Sequence, residues 1–278
     1  MRLVLLGTQG WVPTATRETT CFVVEDGDQL LVFDAGTGLG RLVAPPWRAL
    51  AERCRCVHLF LTHFHLDHVC GLAYLPAVFP QRPVVIHAPA AALTGVDPLA
   101  ALDGLVRPPY NPRPWRELDG VTFSELGDGP TEVAGHRLRL RLQKHSDPSV
   151  AYRLDDDLVV ATDTVPDPAT TAFAAGAQVL LHEAWYLEPE AMGDGARGDA
   201  TARAPLPAGY AAHSGALAVA RLARAAAVGR LIFIHLNPLR GEADHEAMAA
   251  AAREVFAAAE LRRDGDTIVL AHPYGAET

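Results

Sequence analysis

Leu61-Thr62-His63-Phe64-His65-Leu66-Asp67-His68-Val69-Cys70-Gly71 sets three imidazoles and a carboxylate within six positions, directly behind the apolar run 57–61. That run reads as a buried strand, and α/β sheets place their ligand sites beyond the carboxyl ends of strands. Histidine is the commonest metal ligand, and a carboxylate can ligate, bridge or orient a bound water. One histidine in such a loop would be an ordinary polar residue; the H-x-H-x-D-H spacing points to a metal site.

The strand supplies the frame for reading the chain on either side. Residues 2–6, 20–25 and 29–34 read as short strands, the last two joined across Asp26-Gly27-Asp28, a hairpin signal that makes the start of the chain antiparallel. Asp34-Ala35-Gly36-Thr37-Gly38 reads as a sharp structural turn into a helix over about 39–52. A second helix is expected from His68 to about residue 78, then a strand over 83–87. Residues 88–130 show weak periodicity and many prolines, including the run 107–115, and read as a long loop of the kind that covers a site. Within 121–162 the pattern alternates with a period of two; His136-Arg137-Leu138-Arg139-Leu140-Arg141-Leu142 puts its arginines on a solvent face. Residues 188–212, rich in Gly, Ala and Pro, read as a mobile loop, with Ser214 as the cap of a helix over 215–228. A strand over 231–234, a helix over about 242–262 and a strand over 267–271 complete the chain. Strands followed by helices in two successive halves favour a layered α/β sandwich over one doubly wound sheet.

With 278 residues, 49% of them hydrophobic, the simplest organisation is a single domain over residues 1–278. No apolar run reaches the roughly 18 to 20 residues that span a bilayer, and residues 1–7 read as a first strand rather than a signal peptide. Cys21 and Cys70 stand alone, while Cys54 and Cys56 are too close for a routine bridge, so a reduced, cytoplasmic setting is expected. The net charge of −9 opposes a long polyanion, whereas two bound divalent cations would invert the field locally for a small anionic substrate. On that ground an extended nucleic acid is not expected as a partner.

Five strand ends carry the same kind of group: His63, His65, Asp67 and His68; His145; Asp163; His182 and Glu183; and His235, with His213 just ahead of a helix. Their shared placement selects them. His58, His87, His136, His245 and His272 lack it and are left as surface or core histidines.

At this point the sequence resembles the metallo-β-lactamase superfamily, and within it the ribonuclease Z-like branch of phosphodiesterases. The resemblance rests on Asp34-Ala35-Gly36, the stretch from His63 to His68, His145 followed by Ser149-Val150-Ala151-Tyr152-Arg153, Thr162-Asp163-Thr164, Leu181-His182-Glu183-Ala184-Trp185, His213-Ser214 and Ile234-His235-Leu236. It implies a four-layer αββα sandwich. It also implies that His63, His65 and His145 hold one metal, that Asp67, His68 and His235 hold a second, and that Asp163 bridges them. His213 is implied as a catalytic histidine, and Glu183 as the carboxylate linking it to Asp67 in a proton relay. Two divalent ions would follow, zinc first, with manganese or iron as alternatives.

The resemblance is incomplete in places, among them Gly215 after His213-Ser214, where the branch has a Thr or Ser pattern. Transfer-RNA-processing members of the branch often carry a long arm between the positions of His145 and Asp163, where this chain has only a short hairpin. With the acidic charge, that favours hydrolysis of a small or cyclic phosphodiester by a metal-bridging hydroxide. Alternatives are a lactone or carboxylic ester hydrolase of the same fold, or a ribonuclease Z-type endonuclease processing RNA 3′ ends. The proline-rich segment leaves room for a homodimer built around the site.

Overall fold

The computed structural model describes residues 1–188 and 212–271. Fourteen strands run through them: β1 (Arg2–Gly7), β2 (Cys21–Asp26), β3 (Gln29–Phe33), β4 (Cys56–Phe60), β5 (Val84–Pro89), β6 (Val121–Leu126), β7 (Thr131–Val133), β8 (His136–Gln143), β9 (Ser149–Leu154), β10 (Leu158–Ala161), β11 (Val179–Glu183), β12 (Arg230–Ile234), β13 (Ala259–Leu261) and β14 (Thr267–Val269). They form two seven-stranded sheets, ordered β14-β1-β2-β3-β4-β5-β6 and β13-β12-β11-β10-β9-β8-β7. Each sheet is antiparallel over one half and parallel over the other: β3, β4, β5 and β6 run parallel, as do β10, β11, β12 and β13.

The two-residue period of each strand divides its side chains between two cores. Leu3, Leu5, Phe22, Phe33 and Phe60 point between the sheets, where they meet Tyr152, Val160 and Ile232. Val4, Leu6, Val23, Val32 and Leu59 point the other way, under helices that include Leu50, Leu75 and Leu102. On the far side, Val159, Leu180 and Phe233 pack under Val219, Ala223 and Met248. Helix, sheet, sheet, helix is the four-layer sandwich that was expected.

Cross-sheet contacts fix the histidine stretch. The Tyr152 hydroxyl of β9 donates to the Leu61 carbonyl at 2.7 Å, and the Val150 amide donates to the Thr62 carbonyl at 3.0 Å. The loop that opens the histidine stretch is therefore carried by one sheet and anchored by the other.

Several expected helix bounds change. The helix expected over 39–52 is a 3-10 turn, Thr37–Val43, followed by a short helix, Arg48–Arg53. Pro45 and Pro46 stand between them, and proline removes the amide donors a continuous helix needs. The helix expected from His68 is three pieces: Leu66–Val69, the 3-10 turn Cys70–Tyr74, and Leu75–Val78 with Pro76 inside it. Residues 88–130 are not one loop: they hold the helices Ala91–Thr94 and Pro98–Leu105, and β6. The long terminal helix stops at Val255, and β13 follows. Gly215, not Ser214, occupies the cap of the helix Ala216–Ala225, and the Ser214 hydroxyl donates to the Thr164 carbonyl instead. The loop read over 188–212 lies outside the described residues except at its two ends. Among the described residues, no helix is long and apolar enough to cross a membrane.

Candidate metal centre

Strand ends of both sheets converge on Asp163, which follows β10 by two residues. Its Oδ1 lies 3.4 Å from His145 Nε2 and 3.9 Å from His63 Nε2; its Oδ2 lies 3.1 Å from His68 Nε2 and 3.2 Å from His235 Nε2. Each oxygen thus faces a different set of imidazoles. Ligand atoms of His63, His65, His145 and Asp163 all fall within 4.8 Å of one another, as do those of Asp67, His68 and His235. Asp163, His213 and His235 form a third such set, so distance alone would also admit His213 as a ligand.

The backbone turns sharply where these side chains enter. Asp34, Asp163 and His235 each come just after a strand, and their φ values of 59°, 48° and 47° are left-handed. Non-glycine residues held there tend to mark functional sites. Two glycines permit the close packing around them. A Cβ on Gly10 would lie 2.5 Å from the His235 ring, and one on Gly36 would lie 2.3 Å from the Asp67 carbonyl oxygen.

Whether these residues suit metal ions is tested by their unmatched atoms. His63 Nε2 and His68 Nε2 are buried without a hydrogen-bond partner, although both aim at Asp163. A buried imidazole nitrogen left unpaired is costly, and a divalent cation among neutral imidazoles and carboxylates would satisfy both atoms. The donor set therefore fits.

Outer partners fix the rings. Buried Asp34 accepts from His68 Nδ1 at 2.8 Å, and from the Thr62 amide and hydroxyl at 2.8 Å each. Asp147 pairs with His65 Nε2 at 2.8 Å, leaving Nδ1 turned toward His145 Nε2 at 3.4 Å. These are carboxylate–imidazole pairs of the kind that set a ligand's tautomer and orientation. Reading the sequence missed both roles. The signal for Asp34 was a buried acid at a strand end; for Asp147 it was an acid two positions beyond His145.

The electrostatics divide the imidazoles. Burial works against charge on His68 and His235, but Asp163 leads the nearby carboxylates in overruling it, pushing His68 well up and His235 up to about 10. His63 and His145 are pushed down, chiefly by burial. Burial alone would raise Asp67 and Asp163; the surrounding imidazoles, led by His68 for Asp67 and by His235 for Asp163, hold both far below the usual carboxylate range. Cations entering such a cluster would displace imidazolium protons.

Beside the cluster, Glu183 Oε2 lies 2.7 Å from His213 Nδ1, and Glu183 Oε1 accepts from the Thr164 amide. Burial opposes its charge, but His213 leads in drawing the Glu183 pKa below its ordinary value. Trp185 stacks on His213 with ring centroids 4.2 Å apart and planes 13° from parallel. His235 stands between Glu183 and Asp67, with its Nδ1 3.8 Å from Glu183 Oε2 and its Nε2 3.3 Å from Asp67 Oδ2. His182, though also at the end of β11, turns its Nδ1 to the Glu183 carbonyl at 3.0 Å and stays apart from the cluster.

Known proteins resemble this chain in sequence and in fold. Ribonuclease Z of Haloarcula marismortui is 33% identical over 162 residues, 56% of this chain and 48% of that protein, so this match spans about half of its length. Ribonuclease Z of Haloferax volcanii is 27% identical over an alignment of 336 positions that covers 100% of this chain and 99% of that protein. The crystal structure of the metallo-beta-lactamase fold protein YhfI from Bacillus subtilis superposes with a TM-score of 0.72 at 19% identity, covering 96% of this chain and 98% of that one. The ribonuclease relatives correct one expectation. Net charge and the short hairpin argued against an extended nucleic acid as partner, yet an end-to-end relative is an RNA-cleaving enzyme. Overall charge is a poor guide here because the local field belongs to the cluster and any ions it holds. The model of the metallo-beta-lactamase superfamily matches residues 15–272, and the chain belongs to that superfamily.

Proposed function

We propose that the chain is a dinuclear metal-dependent phosphodiesterase, with His63, His65 and His145 on one ion, Asp67, His68 and His235 on the other, and Asp163 shared. Zinc is the first candidate for both positions. The observation that carries the reading is the Asp163 carboxylate, whose two oxygens face two different imidazole sets. When bound, two divalent ions lower the pKa of a water and clamp phosphoryl oxygens.

The chain's own groups do the rest. Asp67 Oδ2 is fixed by the Trp11 amide at 2.7 Å and by His235 Nε2 at 3.3 Å, so it can orient the attacking water. His213 gives its Nδ1 proton to the hydrogen bond with ionised Glu183, which turns Nε2 outward. Protonated at Nε2, His213 can donate to the leaving oxygen or offset the charge developing on the phosphoryl group. Ester or lactone opening has less need of such a pair, and its presence favours phosphodiesters.

A small or cyclic phosphodiester is the first substrate class. RNA is the second, carried by the ribonuclease relatives. A panel of cyclic nucleotides, nitrophenyl phosphodiesters, RNA 3′ ends and lactones, assayed with zinc- and manganese-loaded protein, tests the reading. Turnover of phosphodiesters above lactones is expected, and the reverse order would refute it.

A further inference from the structure

Trp11 is 59% exposed although its main chain is built into the metal-site wall. Its amide donates to Asp67 Oδ2 at 2.7 Å, and the preceding Gly10 amide donates to the Leu236 carbonyl at 3.0 Å, next to His235. The Val12 amide closes back on the Gly10 carbonyl at 2.8 Å, and Trp11 between them has a φ of 61°. A three-residue turn with positive φ is rare and strained, and glycine would occupy it freely. Here the position carries the largest side chain available and leaves it in water. Leu66, next to Asp67 in the chain, is 65% exposed.

An exposed aromatic held in a strained turn is evidence of function before stability, since nothing in the core depends on it. Its neighbours decide what it could hold. A phosphate captured at the carboxylate–imidazole cluster would bring whatever is attached to that phosphate alongside residue 11. Flat rings stack on indole with little regard to their substituents.

Resting on the phosphodiesterase reading, we infer that Trp11 is a specificity-determining residue whose indole stacks on an aromatic ring carried by the substrate next to its phosphate. Phosphodiesters bearing a nucleobase or aryl group are selected over aliphatic ones. The contact to Asp67 is made by the backbone, so the ring can be removed without removing that hydrogen bond.

Calorimetric titration of zinc-loaded protein with adenosine 5′-monophosphate and with ribose 5-phosphate tests this. Wild type is expected to bind the adenine ligand more tightly. Trp11→Gly should weaken it roughly 10- to 100-fold, the usual cost of losing one stacked ring, and leave ribose 5-phosphate unchanged, while Trp11→Phe retains the preference. Equal binding of the two phosphates by wild type, or an equal loss of both in Trp11→Gly, would overturn the assignment. Trp11→Leu, which also removes the ring, serves if the glycine variant folds poorly. Binding is read without turnover, so the two proposals fail separately. Ring preference without phosphodiester hydrolysis sinks the reaction, and hydrolysis without ring preference sinks the role of Trp11.

Discussion

Among the described residues, histidines gather in two regions, and the acids around them set the two apart. At the metal centre, His68 has Asp34, Asp67 and Asp163 within 3.4 Å, and His235 has Asp67 and Asp163 within 3.3 Å. On neighbouring strands β4 and β5, His58 and His87 have each other, with Nδ1 and Nε2 3.0 Å apart, and His87 stacks on Phe60 at 4.8 Å. Carboxylates pull His68 and His235 toward positive charge, while burial pushes His63 and His145 down, and it is the negative charge of those carboxylates that makes the cluster a place for cations. Burial pushes both members of the second group down. Imidazole count does not make a metal site; the acids packed around the rings do.

The most severe way to break this contrast is to remove the shared acid. Asp163→Ala should lose bound metal and turnover together, with activity at background, because its two oxygens face both sets. Full metal occupancy by elemental analysis in that variant would sink the assignment of Asp163. Next in size, His213→Ala is expected to keep its metal while turnover falls about 10²- to 10⁴-fold. Loss of metal along with activity would instead make His213 a ligand, the role its proximity to Asp163 and His235 allows. Smaller again, Asp147→Ala takes one exposed carboxylate from His65 and should weaken metal binding roughly 10- to 100-fold. An unchanged zinc affinity in a chelator competition would show that this pairing does not orient the ring.

These variants also mark how far the sequence could be read. The histidines and acids of the centre were visible because each stands at a strand end, where an apolar or turn residue is the default. Asp34 stands at a strand end too, but its role, like that of Asp147, is defined by a ring 34 or 82 positions away, and only the fold brings each pair together. The layered sandwich was legible from the two-residue period and the repeated order of strands and helices. Helix lengths were less so, for an avoidable reason: Pro45 and Pro46 interrupt the helix expected over 39–52, and Asp97 ahead of Pro98 caps a helix inside the supposed long loop. Trp11 carried no periodic signal, since its placement depends on a turn held by residues 56 and more positions distant.

The mildest test moves to the other histidine region and should leave the metal centre untouched. His87, 5% exposed, is pushed down to about 4 by burial, with His58 adding to the shift. An unfolded imidazole titrates near 6.5. Between those values the unfolded chain binds a proton that the folded chain refuses, so stability is full above about pH 6.5 and falls as pH drops toward 4. The slope is at most roughly 1.4 kcal/mol per pH unit. His87→Phe keeps a ring over Phe60 and removes the titration, so its urea midpoint should vary less than that of wild type across this window, with metal content the same. If the acid limb is equally steep in both proteins, His87 is not what refuses the proton, and the neutral region of the comparison must be sought in other buried imidazoles such as His182 or His245, which burial also pushes down.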